Sequence, residues 1–176
     1  MNFRTILILG ALSAFGPLAI DFYLPAFPAM AAAFGTDEQH VQLTLAAYFL
    51  GLSIGQLAYG PVADRFGRRI PLLIGVGLFT LASLVCAFAP SLDWLIAARF
   101  VQALGGCAGM VISRAVVSDK CDAVGSAKVF SQLMLVMGLA PILAPMLGGL
   151  LVNTTGWQSI FLVLTVFSAL AGLAVA

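Results

Sequence analysis

The chain has 176 residues, of which 62% are hydrophobic and 9% are Asp, Glu, Lys or Arg, and its formal net charge is +1. A water-soluble domain of this length needs far more polar surface, so the composition excludes a soluble protein and favours a polytopic membrane protein. A net charge this small gives no indication of nucleic-acid binding, and we expect the lipid bilayer to be the main partner.

Hydropathy predicts six membrane spans, each an apolar stretch of about 20 residues or more. The first stretch contains Asp21, Pro25 and Pro28, which are not expected in a cleavable signal peptide. The sequence therefore predicts an all-α membrane protein that forms a single bundle of six transmembrane helices over residues 1–176. The expected spans are residues 5–33, 41–62, 70–89, 93–113, 127–151 and 157–176.

The basic residues indicate how the bundle is oriented. Seven of the eight Lys and Arg residues lie before span one, between spans two and three, or around the loop between spans four and five. The other connecting segments, 34–40, 90–92 and 152–156, contain no Lys or Arg. Because cytoplasmic loops carry an excess of basic residues, we predict that both termini lie in the cytoplasm.

A weak internal repeat relates the two halves of the chain. Residues 60–67 align with residues 149–156 at an offset of 89, and the two segments lie on opposite faces of the membrane. The alignment pairs Gly60 with Gly149, Asp64 with Asn153 and Gly67 with Gly156. We therefore expect an inverted repeat of three plus three helices, which is typical of secondary transporters.

Two charged residues lie inside predicted spans, Asp21 in the first and Arg99 in the fourth. Such a charge costs roughly 2.5–3.5 kcal/mol at the centre of a bilayer and by default marks a proton, ion or substrate site. At 1.5 Å per residue both lie about 22–25 Å from the cytoplasmic end, so they can share one depth. We interpret Asp21 as a proton-coupling carboxylate that is influenced by Arg99. The simpler alternatives are a structural ion pair between two helices and an Arg99 side chain that extends outward.

Further polar side chains accompany these charges. Tyr23 follows in span one, Gln102 lies one turn after Arg99, and Tyr48 and Gln56 mark a face of span two. We predict that Tyr23, Tyr48, Gln56 and Gln102 line a cavity for an amphiphilic organic solute. Hydrogen bonds between packed helices explain Tyr48, Gln56 and Gln102 equally well.

Span five contains two prolines four residues apart, Pro141 and Pro145, followed by Gly148 and Gly149. Each proline removes a backbone donor, and both removals fall on one face of the helix. The spacing therefore predicts a bend that shapes a gate or an interface.

The chain offers no residue set for catalysis or metal binding. Its single histidine, His40, lies in a polar loop, and its three cysteines have no paired spacing. No nucleophile–base set or phosphate-binding loop occurs either. We therefore expect neither enzymatic activity nor a cofactor.

The segment from Gly60 to Arg69 reads Gly-Pro-Val-Ala-Asp-Arg-Phe-Gly-Arg-Arg. It resembles the signature loop between helices two and three of the major facilitator superfamily, with Pro61-Val62 in place of the usual second and third residues. Its glycines permit a tight turn and close helix approach, and its aspartate can meet arginines and the positive end of a neighbouring helix. The residues of this cytoplasmic gate motif are Gly60, Asp64, Arg65, Gly67, Arg68 and Arg69.

Three more stretches agree with this family. Residues 99–106 resemble its helix-four motif, 144–149 its helix-five antiporter motif and 156–161 its entry to helix six, with Ala103, Ala144 and Gln158 departing from the usual residues. The run Leu-Ala-Ile-Asp-Phe-Tyr-Leu-Pro at residues 18–25 is similar to drug/proton antiporters of the bicyclomycin-resistance (Bcr/CflA) and chloramphenicol/florfenicol efflux type.

The resemblance implies a bacterial inner-membrane exporter that exchanges protons for small hydrophobic drugs, such as chloramphenicol or bicyclomycin, by alternating access. The proton gradient is then the energy source and no cofactor is required. By position, Asp21 carries the proton and contacts the substrate, Arg99 is its coupling partner, and Asp64 with its neighbouring arginines closes the cytoplasmic gate. The antiporter motif comprises Pro141, Pro145, Gly148 and Gly149.

Members of this superfamily have twelve spans or more, so the resemblance leaves the C-terminal bundle absent. We expect a fragment, a truncated product, or one half of an assembly, either a homodimer or a pair with a second six-helix half. Two alternatives remain open. One is a facilitator-type carrier for a metabolite, against which the prolines of span five argue, and the other is a membrane remnant that transports nothing.

Overall fold

A computed structural model describes residues 2–175, and almost all of them are helical. Short turns join the helices, and a 3-10 turn at Leu24–Ala26 lies between the second and third helices. The helices are α1 (Phe3–Ser13), α2 (Phe15–Asp21), α3 (Phe27–Phe34), α4 (Glu38–Phe66), α5 (Arg69–Ala87), α6 (Leu92–Lys120), α7 (Ala123–Thr155) and α8 (Gln158–Val175).

Among the described residues, six helical segments are long and apolar enough to cross a membrane, which confirms the predicted all-α fold with six spans. The predicted span one corresponds to α1 to α3, of which Phe15–Phe34 is long enough to cross a membrane and α1 is a shorter apolar helix. Spans two to six are α4 to α8. The predicted end of span six, residue 176, lies outside the described residues.

Helices α4, α6 and α7 begin three, one and four residues, respectively, before the apolar stretches predicted for them. Each starts at a side-chain cap: Asp37, Ser91 and Asp122 accept hydrogen bonds from the backbone N–H groups of His40, Trp94 and Gly125. These caps satisfy free donors at the helix ends, so the helices extend into the polar regions of the membrane.

Span one is broken, whereas the sequence predicted one continuous span at residues 5–33. The helix is interrupted at Ala14 and again after Asp21, where the 3-10 turn replaces regular α-helix. Pro17, Pro25 and Pro28 explain the breaks, because each proline lacks the N–H that would bond the carbonyl four residues earlier. Asp21 is consequently the last residue of α2.

The packing of the helices supports the predicted inverted repeat. Span two packs on span four as span five packs on span one, and span three packs on span four as span six packs on span one. The aligned glycines that end α4 and α7 also share one conformation, with φ 79° and ψ 168° at Gly67 and φ 89° and ψ 167° at Gly156. A positive φ favours glycine, so the same local requirement recurs in both halves.

Helix α6 lies at the centre of the bundle. A Cβ atom at Gly109 would lie 2.6 Å from the carbonyl oxygen of Leu12 in α1, and one at Gly51 would lie 2.8 Å from Cβ of Ala103 in α6. Such close backbone approach places the middle of α6 directly against spans one and two.

Candidate transport site

Arg99 lies in the core of the bundle and has no exposed surface. Its Nη1 donates to Oε1 of Gln102 at 2.6 Å, and its Nη2 donates to the backbone carbonyl of Ala19 at 3.0 Å. Both acceptors are uncharged. The predicted alternative in which Arg99 extends outward is therefore wrong, because the side chain points into the bundle and joins span four to span one.

Aromatic rings cover the guanidinium of Arg99. Its Cζ atom lies 4.1 Å from the ring centroid of Tyr48 and 4.4 Å from that of Tyr23, with Phe161 further away at 5.9 Å. A cation held over an aromatic face is attracted by the negative charge density of the ring, most strongly where water is excluded. These rings and the two neutral acceptors explain how the charge is buried without a carboxylate.

Hydrogen bonds extend from Arg99 through span three. Gln102 Nε2 donates to Oγ of Ser83 at 2.7 Å, and the Ser83 hydroxyl donates to the carbonyl of Phe79 at 2.7 Å. Arg99, Gln102 and Ser83 are thus bonded in series, so Arg99 and Gln102 fix spans one, three and four relative to one another. Sequence reasoning missed Ser83, since a lone serine in an apolar helix carries no signal of its partner.

A second set of bonds fixes Tyr23. The Thr44 hydroxyl donates to the carbonyl of Val41 at 2.6 Å, so the Tyr23 hydroxyl donates to Oγ of Thr44. The Tyr48 hydroxyl has no hydrogen-bond partner among the described residues, and neither does Nε of Arg99. Two polar atoms beside the buried charge can therefore take up a new partner if the helices separate.

Asp21 is only half-buried, and none of the ion pairs among the described residues joins it to Arg99. The predicted alternative of a structural ion pair between them is therefore wrong. At about 100° per residue, the side chain of Asp21 leaves the helix roughly opposite to that of Ala19, which is fully buried. The two charged residues are instead linked through the backbone, because Arg99 holds the carbonyl two residues before Asp21.

The four predicted cavity residues divide into two groups. Tyr23, Tyr48 and Gln102 have no exposed surface and surround Arg99, whereas Gln56 is exposed on the outside of α4. A solute cannot touch the first three in this conformation, so their role in substrate contact stays a prediction that requires the helices to move apart.

The cytoplasmic gate motif forms a cluster of ion pairs around Arg68. Its Nη1 donates to Asp64 at 2.8 Å and its Nε to Asp119 at 2.9 Å, and the bond to Asp119 raises the pKa of Arg68 above its ordinary value. Arg65 lies over the ring of Phe66, with Cζ 5.5 Å from the centroid. Asp119 ends α6 on the same face of the membrane, and this shared location is the signal by which the sequence could have indicated it.

The glycines of the gate motif differ in their roles. Gly67 ends α4 at a positive φ, as a tight turn requires. A Cβ atom at Gly60 would meet no described atom within 4 Å, so the close helix approach expected there does not occur inside this bundle. Arg69 begins α5 and lines a cavity of about 320 Å³ beside Arg68 and Asp119.

The antiporter motif packs span five against the broken part of span one. Helix α7 continues through Pro141 and Pro145, and the bend predicted at these residues stays a prediction. A Cβ atom at Gly148 would collide with the backbone carbonyl of Phe22, whereas one at Gly149 would lie 3.9 Å from Cβ of Pro25. Gly148 therefore permits direct contact between α7 and the segment that follows Asp21.

The Major Facilitator Superfamily model matches residues 7–176, nearly the whole chain. The chain belongs to this superfamily. It is 47% identical over 171 residues to the uncharacterized MFS-type transporter YdgK of Bacillus subtilis, and the alignment covers 96% of this chain and 42% of that protein.

Other relatives of this facilitator chain carry names that refer to drugs. It is 38% identical over 170 residues to a bicyclomycin resistance protein homolog of Haemophilus influenzae, covering 97% of this chain and 43% of that protein. It is 36% identical over 159 residues to a chloramphenicol resistance protein of Pseudomonas aeruginosa, and the alignment covers 89% of this chain and 38% of that protein. The chain thus spans less than half the length of the curated relatives it matches.

Proposed function

We propose that this chain is the N-terminal half of a transporter that exports small hydrophobic drugs in exchange for protons across the bacterial inner membrane. The names of its relatives, which include bicyclomycin and chloramphenicol resistance proteins, support the substrate class. Its apolar spans and the grouping of its basic residues support a multi-pass protein with both termini in the cytoplasm.

The observation that carries the proposal is the connection between Asp21 and Arg99. Asp21 is accessible at the end of a broken helix, while Arg99 holds the same helix two residues earlier from the core of the bundle. Carboxylates inside a membrane are expensive and mark functional sites. A structural anchor needs neither a half-exposed carboxylate nor a proline-broken helix beside it.

Protonation of Asp21 changes what its surroundings must supply. An ionised carboxylate needs water or a positive partner, whereas a protonated carboxyl tolerates an apolar neighbour. A shift of the end of α2 between these environments pulls on the Ala19 carbonyl and hence on Arg99. Arg99 in turn is bonded to Gln102 and Ser83, so the movement reaches spans three and four.

Alternating access requires a second six-helix half, since a central cavity forms between two bundles. In this arrangement Asp64, Arg68 and Asp119 form the cytoplasmic gate, where ion pairs exposed to water exchange partners at little cost. The second half belongs to the rest of a longer protein, to another chain or to a second copy of this one.

Native cysteines provide a test of the orientation. Cys121 is partly exposed in the loop between α6 and α7, whereas Cys86 and Cys107 are buried. A membrane-impermeant maleimide should label Cys121 in inverted vesicles and not in right-side-out vesicles. Labelling from the outside only would contradict cytoplasmic termini.

The function is tested by proton-gradient-driven uptake of labelled chloramphenicol into inverted vesicles. The vesicles contain this chain alone or together with a C-terminal six-helix half from a relative. Asp21→Asn should abolish gradient-dependent uptake. Asp93→Asn, which changes an exposed carboxylate at the start of α6, should not.

Each outcome of that assay bears on the proposal. Uptake by the chain alone would identify a self-assembling half-transporter, and uptake only with the second half would identify an obligate pair. Full uptake by Asp21→Asn would remove Asp21 from proton coupling. If no drug is taken up by a folded pair but a metabolite is, the alternative of a facilitator-type metabolite carrier replaces the drug exporter.

A further inference from the structure

An open groove with a volume of about 640 Å³ lies between helices α1, α2, α7 and α8. Its walls are almost entirely apolar, and among the described lining residues Gln132 alone carries a polar side chain. Small residues line the groove on its α1 side, with Gly10 and Ala11 in α1 and Ala14 directly after it.

The groove is long enough to hold a lipid chain. On α7 its lining runs from Gln132 to Leu147, which is about 22 Å at 1.5 Å per residue. One leaflet of the hydrocarbon core is about 15 Å deep, half of the full thickness of about 30 Å. The groove can therefore accommodate an acyl chain along most of its length.

Two cations lie just beyond the cytoplasmic end of this groove. Arg4 precedes the lining residue Leu7 by three positions, and Lys128 precedes Gln132 by four, so each cation shares a helix face with a residue of the groove. Both are exposed, and no ion pair among the described residues involves either. The nearby carboxylate of Asp122 is bonded to the backbone N–H of Gly125.

We propose that this groove binds one anionic phospholipid of the cytoplasmic leaflet. The acyl chain lies between α7 and α8, and the phosphate is held by Arg4 and Lys128. Basic residues at the cytoplasmic side of a gap between transmembrane helices are typical of anionic headgroup sites. The inference can be tested apart from the transport proposal, because its test measures lipid binding and no transport.

The test is native mass spectrometry of the whole chain with equal amounts of phosphatidylglycerol and phosphatidylcholine. The chain should bind one phosphatidylglycerol in preference to phosphatidylcholine. The double variant Arg4→Gln, Lys128→Gln should lose about fivefold in this preference for each charge, or roughly 25-fold in total. The matched variant Arg114→Gln, Lys120→Gln removes two other exposed cytoplasmic cations and should change it less than about twofold.

A second pair of variants tests the acyl-chain part of the site. Ala11→Phe fills the groove from its α1 side and should abolish binding of both lipids, while Ala169→Phe, on an exposed position of α8 outside the groove, should not. If Ala11→Phe does not fold by circular dichroism, Leu139→Phe on the opposite wall serves instead.

Three results would overturn the proposal. Equal binding of the two lipids, or equal losses in the two double variants, would show that Arg4 and Lys128 hold no headgroup. Lipid binding that survives the filled groove would place the lipid elsewhere. Displacement of the lipid by a second copy or by the C-terminal half would show that a protein covers the groove.

Discussion

Two arginines of this bundle differ in the groups that stabilise their positive charges. Arg99 has no exposed surface and is held by neutral acceptors and aromatic rings. The side chain of Arg68 is 29% exposed and bonds to two carboxylates, Asp64 and Asp119, whose side chains are 69% and 51% exposed. Arg99 joins three spans in the core, and Arg68 joins the loop between α4 and α5 to the end of α6.

The difference follows from the solvent around each charge. In water a carboxylate partner contributes little net stability, and it can be exchanged easily. In an apolar core the removal of one partner leaves a buried group unpaired, which is costly. We therefore expect substitutions around Arg99 to lower the stability of the bundle strongly, and substitutions in the cluster around Arg68 to lower it little.

Replacement of Arg99 should have the largest effect. Arg99→Ala leaves Oε1 of Gln102 and the carbonyl of Ala19 unpaired, and at about 1–3 kcal/mol for each the loss should be ~3 kcal/mol or more. The free energy of unfolding in detergent measures it. Arg99→Met combined with Gln102→Leu should recover part of the loss. A loss below about 1 kcal/mol for Arg99→Ala would mean that Arg99 contributes no more stability than an exposed ion pair.

Gly148 and Gly149 allow the stability of a tightly packed position to be compared with that of a neighbouring, more open position. A methyl group at Gly148 meets the Phe22 backbone, so Gly148→Ala should cost about 2 kcal/mol as an overpacked contact. Gly149→Ala has room beside Pro25 and should be neutral or slightly stabilising. Thermal denaturation of the two variants side by side measures the difference, and equal melting temperatures would refute the close contact.

The two tyrosines beside Arg99 should differ by about 1 kcal/mol. Tyr23→Phe removes a hydrogen bond to Thr44, whereas Tyr48→Phe removes a hydroxyl that has no described partner. Both variants keep the aromatic face that attracts the guanidinium. Chemical denaturation should show a loss for Tyr23→Phe alone, and equal losses would mean that the Tyr48 hydroxyl is bonded.

Removal of a carboxylate from the surface cluster should cost much less. Asp119→Asn should lower the free energy of unfolding by at most about 1 kcal/mol, because the pair is exposed. High salt should abolish the difference from the unaltered protein, since exposed charges are screened. An effect that persists in high salt would show that Asp119 acts by packing or by a directed hydrogen bond.

The smallest effect on stability is expected at Asp37, which caps α4 on the membrane face opposite to the Arg68 cluster. The hydrogen bond from the backbone N–H of His40 lowers the pKa of this carboxyl below its ordinary value. Its stabilising contribution is therefore present at neutral pH and is lost as the pH falls below about 4 through the folded-state pKa. An NMR titration of Asp37 measures the shift, and Asp37→Asn, which keeps the cap without titrating, should remove this pH dependence.

The all-α class, the six spans, the glycine turn at Gly67 and the family could all be predicted from the amino-acid sequence. These depend on local quantities, because a span must be apolar over its whole length and a positive φ selects glycine wherever it occurs. The three prolines of span one were also visible, yet the break after Asp21 was not predicted, since a proline can bend a helix as well as interrupt it.

Which residues contact one another became clear from the packing of the helices. Arg99 was expected beside Asp21 but lies against Ala19, Gln102, Tyr23 and Tyr48, and Gln56 faces outward while Gln102 is buried. The physical reason is rotation: neighbouring residues differ by about 100° around a helix axis, so a partner is set by how each helix is turned and how deeply it packs. The contact of Ser83 depends on a distant helix and leaves no local pattern in the sequence, whereas Asp119 could be assigned to the membrane face of the gate motif but not to Arg68.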